Sequence, residues 1–332
     1  MPAKVKLYMF PGSNSVYTGR LLLEHKGIDY KTVTLMPGAH AFIMLGLGFP
    51  TMGVPALKID GRRVQGTRPM ARALDEEFPD APALFPADPA RRKAVQAAER
   101  WGEELQNATR RIFYCAARRD HGAFKSLMTP ARSLPMRGVL RMSAPIVIRL
   151  ATGAHRASDD AGREDLELLP ERLDQIDAWL AEGLIGGDEL NAADFQIAVN
   201  VSALMLSDDL RPFIENRPAA AHARRVAPDY AGHLDAVLPF EWLEPLREDA
   251  AAKAAGGARA SGGPATARDA TGGGVTGGPA TAGGATARGV TAGGSATAGG
   301  SATAGGDATA GGDATATIAA STPAGAAAQP VA

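Results

Sequence analysis

Two serine hydroxyls, those of Ser13 and Ser15, lie in a short loop where residue types and spacing permit chemistry. They flank Asn14 in the run Pro-Gly-Ser-Asn-Ser, between a predicted strand and a predicted helix. A serine in such a loop can cap the helix by accepting a hydrogen bond from its first N–H groups. Its hydroxyl can equally donate a hydrogen bond to a bound anion. The sequence leaves both roles open.

A second candidate site lies at Thr67 and Arg68, where another helix is predicted to begin. The first N–H groups of a helix have no partner within it, and the helix dipole adds a partial positive charge there. Thr67 contributes a hydroxyl donor and Arg68 a cation. This combination predicts an anion-binding site.

Other reactive residue types show no catalytic or metal-binding spacing. The single cysteine, Cys115, excludes Cys-x-x-Cys redox chemistry and is predicted to be a small buried hydrophobe. The six histidines, His40 among them, are scattered without the spacing of metal ligands, so we predict no metal. Arg110-Arg111 on a predicted helix is interpreted as a solvated face.

The charge and hydropathy of the chain limit the kinds of partner and the cellular locations that we expect. A formal net charge of −1 predicts no nucleic-acid or membrane-surface partner. We find no signal peptide, and no apolar run reaches the roughly 18–20 residues that span a bilayer. A cytoplasmic location is therefore expected.

The elements that must position these residues follow from hydrophobic periodicity. Residues 4–9 and 29–35 alternate as strands do, and a helix is predicted between them from Ser15 to Lys26. After a glycine-rich loop, Asp60-Gly61 between two short strands predicts a hairpin. A helix from Thr67 to Phe78 follows. This order, β-α-β-loop-β-β-α, is that of the thioredoxin fold, and we assign it to residues 1–82.

Past Pro89 the period changes to that of helices, and residues 88–247 are predicted to form an all-α domain. A long apolar stripe runs from Val95 to Ala116, an irregular helical region covers about 123–150, and a further stripe runs from Leu166 to Leu180. Asn191 and Asp194 are spaced as a capping box for the next helix. From residue 250 to 332 the chain is almost wholly Ala, Gly, Thr, Ser and Pro, so we predict a disordered tail.

Four features, in this order and spacing, make the chain resemble the glutathione S-transferase family across nearly all of residues 4–247. They are the opening strand, serine loop and helix ending in Lys-Gly-Ile-Asp-Tyr; Val54-Pro55-Ala-Leu, similar to the family's cis-proline segment; Gln-Gly-Thr67-Arg68, similar to the helix start that holds a γ-glutamyl carboxylate; and Asn191-Ala-Ala-Asp194, similar to the family's capping box.

The resemblance implies a detoxifying transferase that stabilises a thiolate with one hydroxyl. Ser13 lies seven residues before Arg20, the spacing of serine-using members, whereas Met9 occupies the position of the tyrosine in tyrosine-using members. Ser13 is therefore the first candidate and Ser15 the second. The implied thiol-binding residues are Asn14, His40, Val54, Pro55, Thr67 and Arg68.

The resemblance leaves the thiol and the activity open. The family usually carries Glu or Gln before the hydroxyl residue of the helix start, and this chain has Gly66 there. The co-substrate is thus glutathione or another low-molecular-weight thiol, the second substrate is a small electrophile, and a homodimer is implied. The alternative is a non-catalytic binding or scaffolding protein that kept the fold.

Overall fold

The computed structural model describes residues 3–10, 12–35, 40–120, 145 and 148–261. By contacts between Cα atoms the chain divides into two units, Met1–Thr266 and Ala267–Ala332, and the second lies outside the described residues. Most of the predicted tail and most of the predicted irregular region at 123–150 also lie outside them. Within the described residues, no helix combines the length and hydropathy needed to cross a membrane.

The predicted fold class is confirmed, because a four-stranded mixed sheet with helices precedes a mostly helical remainder. The elements of the first part are β1 (Val5–Met9), α1 (Asn14–His25), β2 (Tyr30–Thr34), α2 (His40–Gly46), β3 (Ala56–Ile59), β4 (Arg62–Gln65) and α3 (Thr67–Glu77). The strand order is β2-β1-β3-β4. β1 and β2 are parallel, as a crossover through α1 requires, and the other two pairs are antiparallel.

The sheet register buries one row of apolar side chains under the helices. Leu7 on β1 stands opposite Leu57 on β3, and both are fully buried. The β3–β4 hairpin turns at Asp60 and Gly61, whose φ angles are 45° and 103°. Two consecutive positive φ angles are the signature of the two-residue turn that Asp-Gly favours. The Asp60-Gly61 pair in the sequence was therefore sufficient to predict this hairpin.

Helix α2 differs from the predicted glycine-rich loop. It covers His40–Gly46, buries Met44 and leaves Phe42 exposed by 78%. Seven residues are too few for a 3.6-residue period to emerge, and the sequence around them carries the glycine and proline typical of loops. Periodicity alone therefore could not separate this helix from its surroundings.

The helical remainder is built around one long helix and one fully buried helix. Its elements are α4 (Pro89–Arg119), α5 (Asp159–Glu167), α6 (Leu169–Ala181), α7 (Ala192–Leu204), α8 (Arg211–Ile214), α9 (Pro218–Val226), a 3₁₀ turn (Phe240–Leu243) and α10 (Glu244–Ser261); residues 148–154 are also helical. The predicted stripe from Leu166 to Leu180 is divided between α5 and α6 at Leu168. Pro170, which favours the first turn of a helix, lies at the start of α6.

Helix α7 carries the predicted capping box and packs against α1, α4 and α9. The Asn191 side chain accepts a hydrogen bond from the Ala193 N–H at 3.0 Å, and the Asp194 carboxylate accepts one from the Asn191 N–H at 2.8 Å. Every residue of the helix is buried, as its apolar circumference predicts. The capping box is confirmed.

The start of the predicted disordered tail needs correction, because α10 continues from Glu244 to Ser261. Alanine, the residue with the highest helix propensity, dominates positions 250–255, and no proline interrupts them. Lys253 also donates to Asp249 at 2.7 Å and to Asp174 on α6 at 2.6 Å. The boundary drawn at residue 250 therefore lies inside a helix.

Candidate functional site

The two serine hydroxyls contact each other. Ser13 is the N-cap residue of α1, with extended backbone, but its side chain makes no capping hydrogen bond. Its Oγ lies 3.0 Å from the Oγ of Ser15, and either hydroxyl can be the donor. Ser13 is partly buried, whereas Ser15 is buried. The structure therefore shows Ser13 at the helix start without the capping role that the sequence left open.

Ser15 connects this loop to the segment before β3. Its hydroxyl donates to the Val54 carbonyl oxygen at 3.3 Å. The Val54–Pro55 peptide bond is cis, in agreement with the resemblance. Pro55 is buried and Val54 is half-buried. Two of the predicted thiol-binding residues thus lie beside the serine pair.

Asn14 fixes the serine loop to the centre of the helical part. Its Nδ2 donates to Oδ1 of Asn200 on α7 at 2.9 Å, and its Oδ1 accepts from the Ser15 N–H at 3.0 Å. Asn200 in turn donates to the carbonyl oxygen of Gln196 at 2.6 Å. Both ends of the Asn14 amide are engaged within the protein, so the geometry makes it a residue that positions the loop.

Arg110 was interpreted from the sequence as part of a solvated face, and the structure corrects this. Its Nη2 donates to the Ser15 Oγ at 3.0 Å. Its Nη1 lies 3.4 Å from Oδ1 of Asn107. The side-chain amide of Gln106 has hydrogen-bond partners for both its oxygen and its nitrogen when the two atoms are exchanged. In that orientation the Gln106 oxygen accepts from Arg110 at 2.7 and 3.1 Å. A positively charged guanidinium therefore contacts the serine pair through Ser15.

A polar stripe on α4 explains how Arg110 reaches the first helix. Glu99, Glu103, Gln106 and Arg110 follow one another at spacings of four, three and four, which places them along one face of a helix. Glu99 is buried and pairs with Arg72 on α3 at 2.8 Å. This stripe runs beside the apolar stripe, and its spacing is the signal in the sequence by which Arg110 could have been recognised.

Tyr114, His155 and Tyr230 lie near enough to Arg110 for its charge to affect their pKa values. Tyr114 stacks on His155 with ring centroids 5.3 Å apart and an angle of 12° between the planes. Burial, reinforced by the charges of Arg110 and Arg111, lowers the pKa of His155 to about 4. Burial raises the pKa of Tyr114, and likewise that of Tyr230. At neutral pH these groups are uncharged, and the cation is the dominant charge among them.

Helix α3 begins without a side-chain cap, and its first residue is Thr67. The Thr67 side chain is buried and makes no hydrogen bond with another of the described residues. Gly66 before it has φ 89° and ψ 151°, a conformation that is essentially restricted to glycine. In the sequence, Gly66 was notable only because it replaces the Glu or Gln that the family usually carries. The backbone angles show that any residue with a side chain would have a strained conformation at this position.

Arg68, predicted to bind the thiol, pairs with carboxylates of α4. Its Nη1 donates to Glu103 at 3.1 Å, and its Nε lies 3.8 Å from Glu99. These contacts neutralise much of the cation that the sequence assigned to an anion site. The N–H groups of Thr67 and Arg68 remain as the donors of the helix start, since Pro69 has none.

His40, the remaining predicted site residue, is the first residue of α2. Its ring lies 4.9 Å from the ring of Phe10, which follows β1 at the start of the serine loop. His40 is partly buried. His40 therefore lies near the end of β1, whereas Arg110 contacts the loop at Ser15.

One group among the described residues has ligand atoms close enough to hold a cation. His233 Nε2 lies 2.9 Å from Oδ1 of Asp235 and 3.3 Å from Oδ2 of Asp208, and all three atoms lie within 4.8 Å of one another. The three residues are partly or fully exposed. The arrangement is equally that of a surface histidine between two carboxylates, and it shares no residue with the serine site.

Comparison with known proteins agrees with the geometry of the first part. Residues 7–82 match the family model for the N-terminal domain of glutathione S-transferases. This segment is therefore similar to the N-terminal domain of glutathione S-transferases.

Among solved structures, the chain is similar to the glutathione S-transferase CsGST63524 of Ceriporiopsis subvermispora, determined with glutathione, at 19% identity and a TM-score of 0.47, covering 71% of this chain and 99% of that one. It is also similar to the beta-etherase LigF from Sphingobium sp. strain SYK-6, at 18% identity and a TM-score of 0.46, covering 67% and 99%. A third is FzlA from C. crescentus, at 18% identity and a TM-score of 0.43, covering 73% and 99%. At these sequence identities and TM-scores, the similarity assigns no activity to this chain.

Proposed function

We propose that this protein binds glutathione or a related low-molecular-weight thiol and transfers it to small electrophiles. The observation that carries the proposal is the partly buried Ser13, whose hydroxyl makes no capping hydrogen bond and contacts Ser15. Ser15 in turn contacts the Val54 carbonyl, next to the cis Val54–Pro55 bond. The match of residues 7–82 to the transferase N-terminal domain supports the choice of a thiol as ligand.

The chemistry needs one hydrogen bond to the sulfur. A free thiol has a pKa of about 8.5, so only a few per cent of it is ionised at pH 7. A hydrogen bond to a charged acceptor contributes about 1.5–3 kcal/mol, which lowers the thiol pKa by roughly one to two. The Ser13 proton must point to the sulfur, and the neutral hydrogen bond given up for this is worth about 0.5–1.5 kcal/mol. The exchange favours the thiolate.

The start of α3 supplies the anchor for a carboxylate of the thiol. The N–H groups of Thr67 and Arg68 carry the partial positive charge of the helix, and no side chain caps them. The Thr67 hydroxyl adds a third donor. Together with the Ser13 hydroxyl, these donors suit a ligand that carries a carboxylate and a thiol.

A non-catalytic binding or scaffolding role is the second candidate. The observation that favours it is the pairing of Arg68 with Glu99 and Glu103, which places two carboxylates near the helix start that would hold an anion. Gly66 adds to this, because it offers no side chain to an α-amino group. In this candidate the fold is kept, while affinity for thiols is lost.

Calorimetric titration with glutathione and with other carboxylate-bearing thiols separates the two candidates. The enzyme requires binding that weakens in Thr67→Val, since this variant removes one donor and keeps the size of the side chain. Thr51→Val, an exposed threonine before β3, is the matched control and should bind as the wild type does. Absence of binding by every thiol tested would favour the scaffolding role. The implied homodimer and cytoplasmic location remain predictions.

A further inference from the structure

We propose that Arg110 is a positioning residue of the thiolate site, acting on the bound sulfur through Ser15 and Ser13. This inference rests on the proposed function, because it requires a thiol bound at Ser13. The contacts form a continuous path: the guanidinium donates to Ser15 at 3.0 Å, and the two hydroxyl oxygens are 3.0 Å apart. A ligand sulfur at Ser13 would be the end of this path.

The protons of the path can be arranged in two ways. Each hydroxyl has one proton, and Arg110 occupies an acceptor position of Ser15 in both arrangements. When Ser15 donates to the Val54 carbonyl, Ser13 donates to Ser15 and has no proton for a ligand. When Ser15 donates to Ser13, the Ser13 proton is free for the sulfur. The bond to Val54, at 3.3 Å, is long for a bond between oxygens, so the second arrangement gives up little.

In the second arrangement every donor points from the cation toward the anion. Arg110 donates to Ser15, Ser15 donates to Ser13, and Ser13 donates to the thiolate. Hydrogen bonds in such a chain polarise one another and are stronger together than singly. No proton moves along the path, because each hydroxyl keeps its own. The thiol proton leaves to water, and the thiolate then forms the carbon–sulfur bond while the electrophile releases its leaving group.

The charge of Arg110 is available for this role. Three other arginines of α4, namely Arg111, Arg118 and Arg119, pair with carboxylates of α5, as Arg111 does with Asp165 at 2.6 Å. No carboxylate of the described residues lies within ion-pair distance of Arg110, and the sequence from 121 to 147 contains no Asp or Glu. Burial lowers the pKa of Arg110 but leaves a guanidinium charged at neutral pH. The neighbouring oxygens of Ser15, Asn107 and Gln106 are neutral.

The groups that could titrate around Arg110 do not compete with the thiol near neutral pH. His155 is deprotonated above a pKa of about 4, and the pKa values of Tyr114, Tyr230 and Tyr17 are raised, mainly by burial. Glu103 is engaged by Arg68. A change of the pH profile between pH 6 and 9 therefore reports the thiol.

The test is the pH dependence of thiolate absorbance with bound glutathione, recorded together with the conjugation rate. Arg110→Gln should raise the pKa of the bound thiol by part of the roughly one to two that the Ser13 hydrogen bond supplies, and lower the rate at neutral pH about threefold or more. Arg110→Lys, which keeps the charge, should recover part of the shift. Arg100→Gln is the matched control: it removes the same charge from an exposed position about 15 Å along α4 and should change neither value.

Ser15→Ala keeps the test decisive if Arg110→Gln fails to fold. This variant breaks the path at its middle and should raise the thiol pKa as Arg110→Gln does, while Ser13 remains. If the wild type lowers the thiol pKa and neither Arg110→Gln nor Ser15→Ala raises it, the path is refuted and the proposed function stands. If the wild type never lowers the pKa of a bound thiol, the proposed function itself fails.

Discussion

The Asp194 carboxylate offers the strongest test of how the helical part is held together. It is fully buried and accepts hydrogen bonds from two backbone N–H groups, that of Gly186 at 2.6 Å and that of Asn191 at 2.8 Å. Asp194→Ala leaves the buried Asn191 N–H and the partly buried Gly186 N–H without an acceptor. An unsatisfied buried donor costs about 1–3 kcal/mol, so the variant should lose about 1–3 kcal/mol of the free energy of unfolding from Asn191 alone, with a smaller further loss from Gly186.

The matched control is Asp88→Ala, which removes the cap of α4. Asp88 accepts one hydrogen bond, from the Arg91 N–H at 2.7 Å, and the site is exposed. Water can replace that acceptor, so the loss should be about 0.5–1 kcal/mol, the lower part of the range for a cap. Urea unfolding followed by far-ultraviolet circular dichroism measures both. The reasoning is refuted if Asp194→Ala is no more destabilised than Asp88→Ala.

Two further variants extend the measurement. Asp194→Asn keeps one acceptor oxygen and should lie between the wild type and Asp194→Ala, which matters if the alanine variant does not fold. Asn191→Ala and Asp194→Ala combined should lose less than the sum of the single variants, because the two residues share one capping box. Strict additivity would show that the two side chains act independently.

Three further outcomes are expected. Deleting residues 262–332 should leave the melting temperature unchanged. Deleting residues 250–332 also removes the ion pairs of Lys253 and should lower the free energy of unfolding by about 1 kcal/mol or less. Equal melting temperatures for the wild type and both deletions would show that these pairs contribute nothing. The folded-state pKa of His155, about 4, lies below its unfolded value of about 6.5, so the unfolded state binds the extra proton and stability falls as pH drops from about 6.5 to 4. His155→Phe, which keeps a ring at this position, should flatten that decline in melts across pH, and an unchanged slope would contradict the assignment. Cys115 is fully buried and burial raises its pKa, so thiol reagents should modify it only as fast as the protein unfolds; immediate labelling of the native protein would show otherwise.

Local signals were sufficient for the fold of the first part and for the capping box. The Asp60-Gly61 turn and the Asn191–Asp194 spacing each determine a structure through neighbours within a few residues, and both were predictable. Helix α2 was not, because its seven residues bury little beyond Met44. A helix with so small a buried face leaves no period in the sequence.

The site was harder to predict because its central contacts join residues far apart in the chain. Ser13 and Ser15 could be named from their loop, but Arg110 approaches Ser15 across 95 positions. Arg68 was predicted to bind the thiol, and nothing in the sequence indicated that it also pairs with Glu103 of the polar stripe on α4. Charge pairing between helices depends on their packing, and a single sequence does not record which faces meet.

The most direct test of the central claim is the pKa of a thiol bound to the wild type and to Ser13→Ala. Thiolate absorbance against pH, with glutathione and other low-molecular-weight thiols at saturation, gives both values. The account predicts a pKa below the free value of about 8.5 in the wild type and a rise of roughly one to two in Ser13→Ala, with unchanged affinity at low pH, where the sulfur is protonated in both. A bound thiol that titrates alike in the two proteins would contradict it.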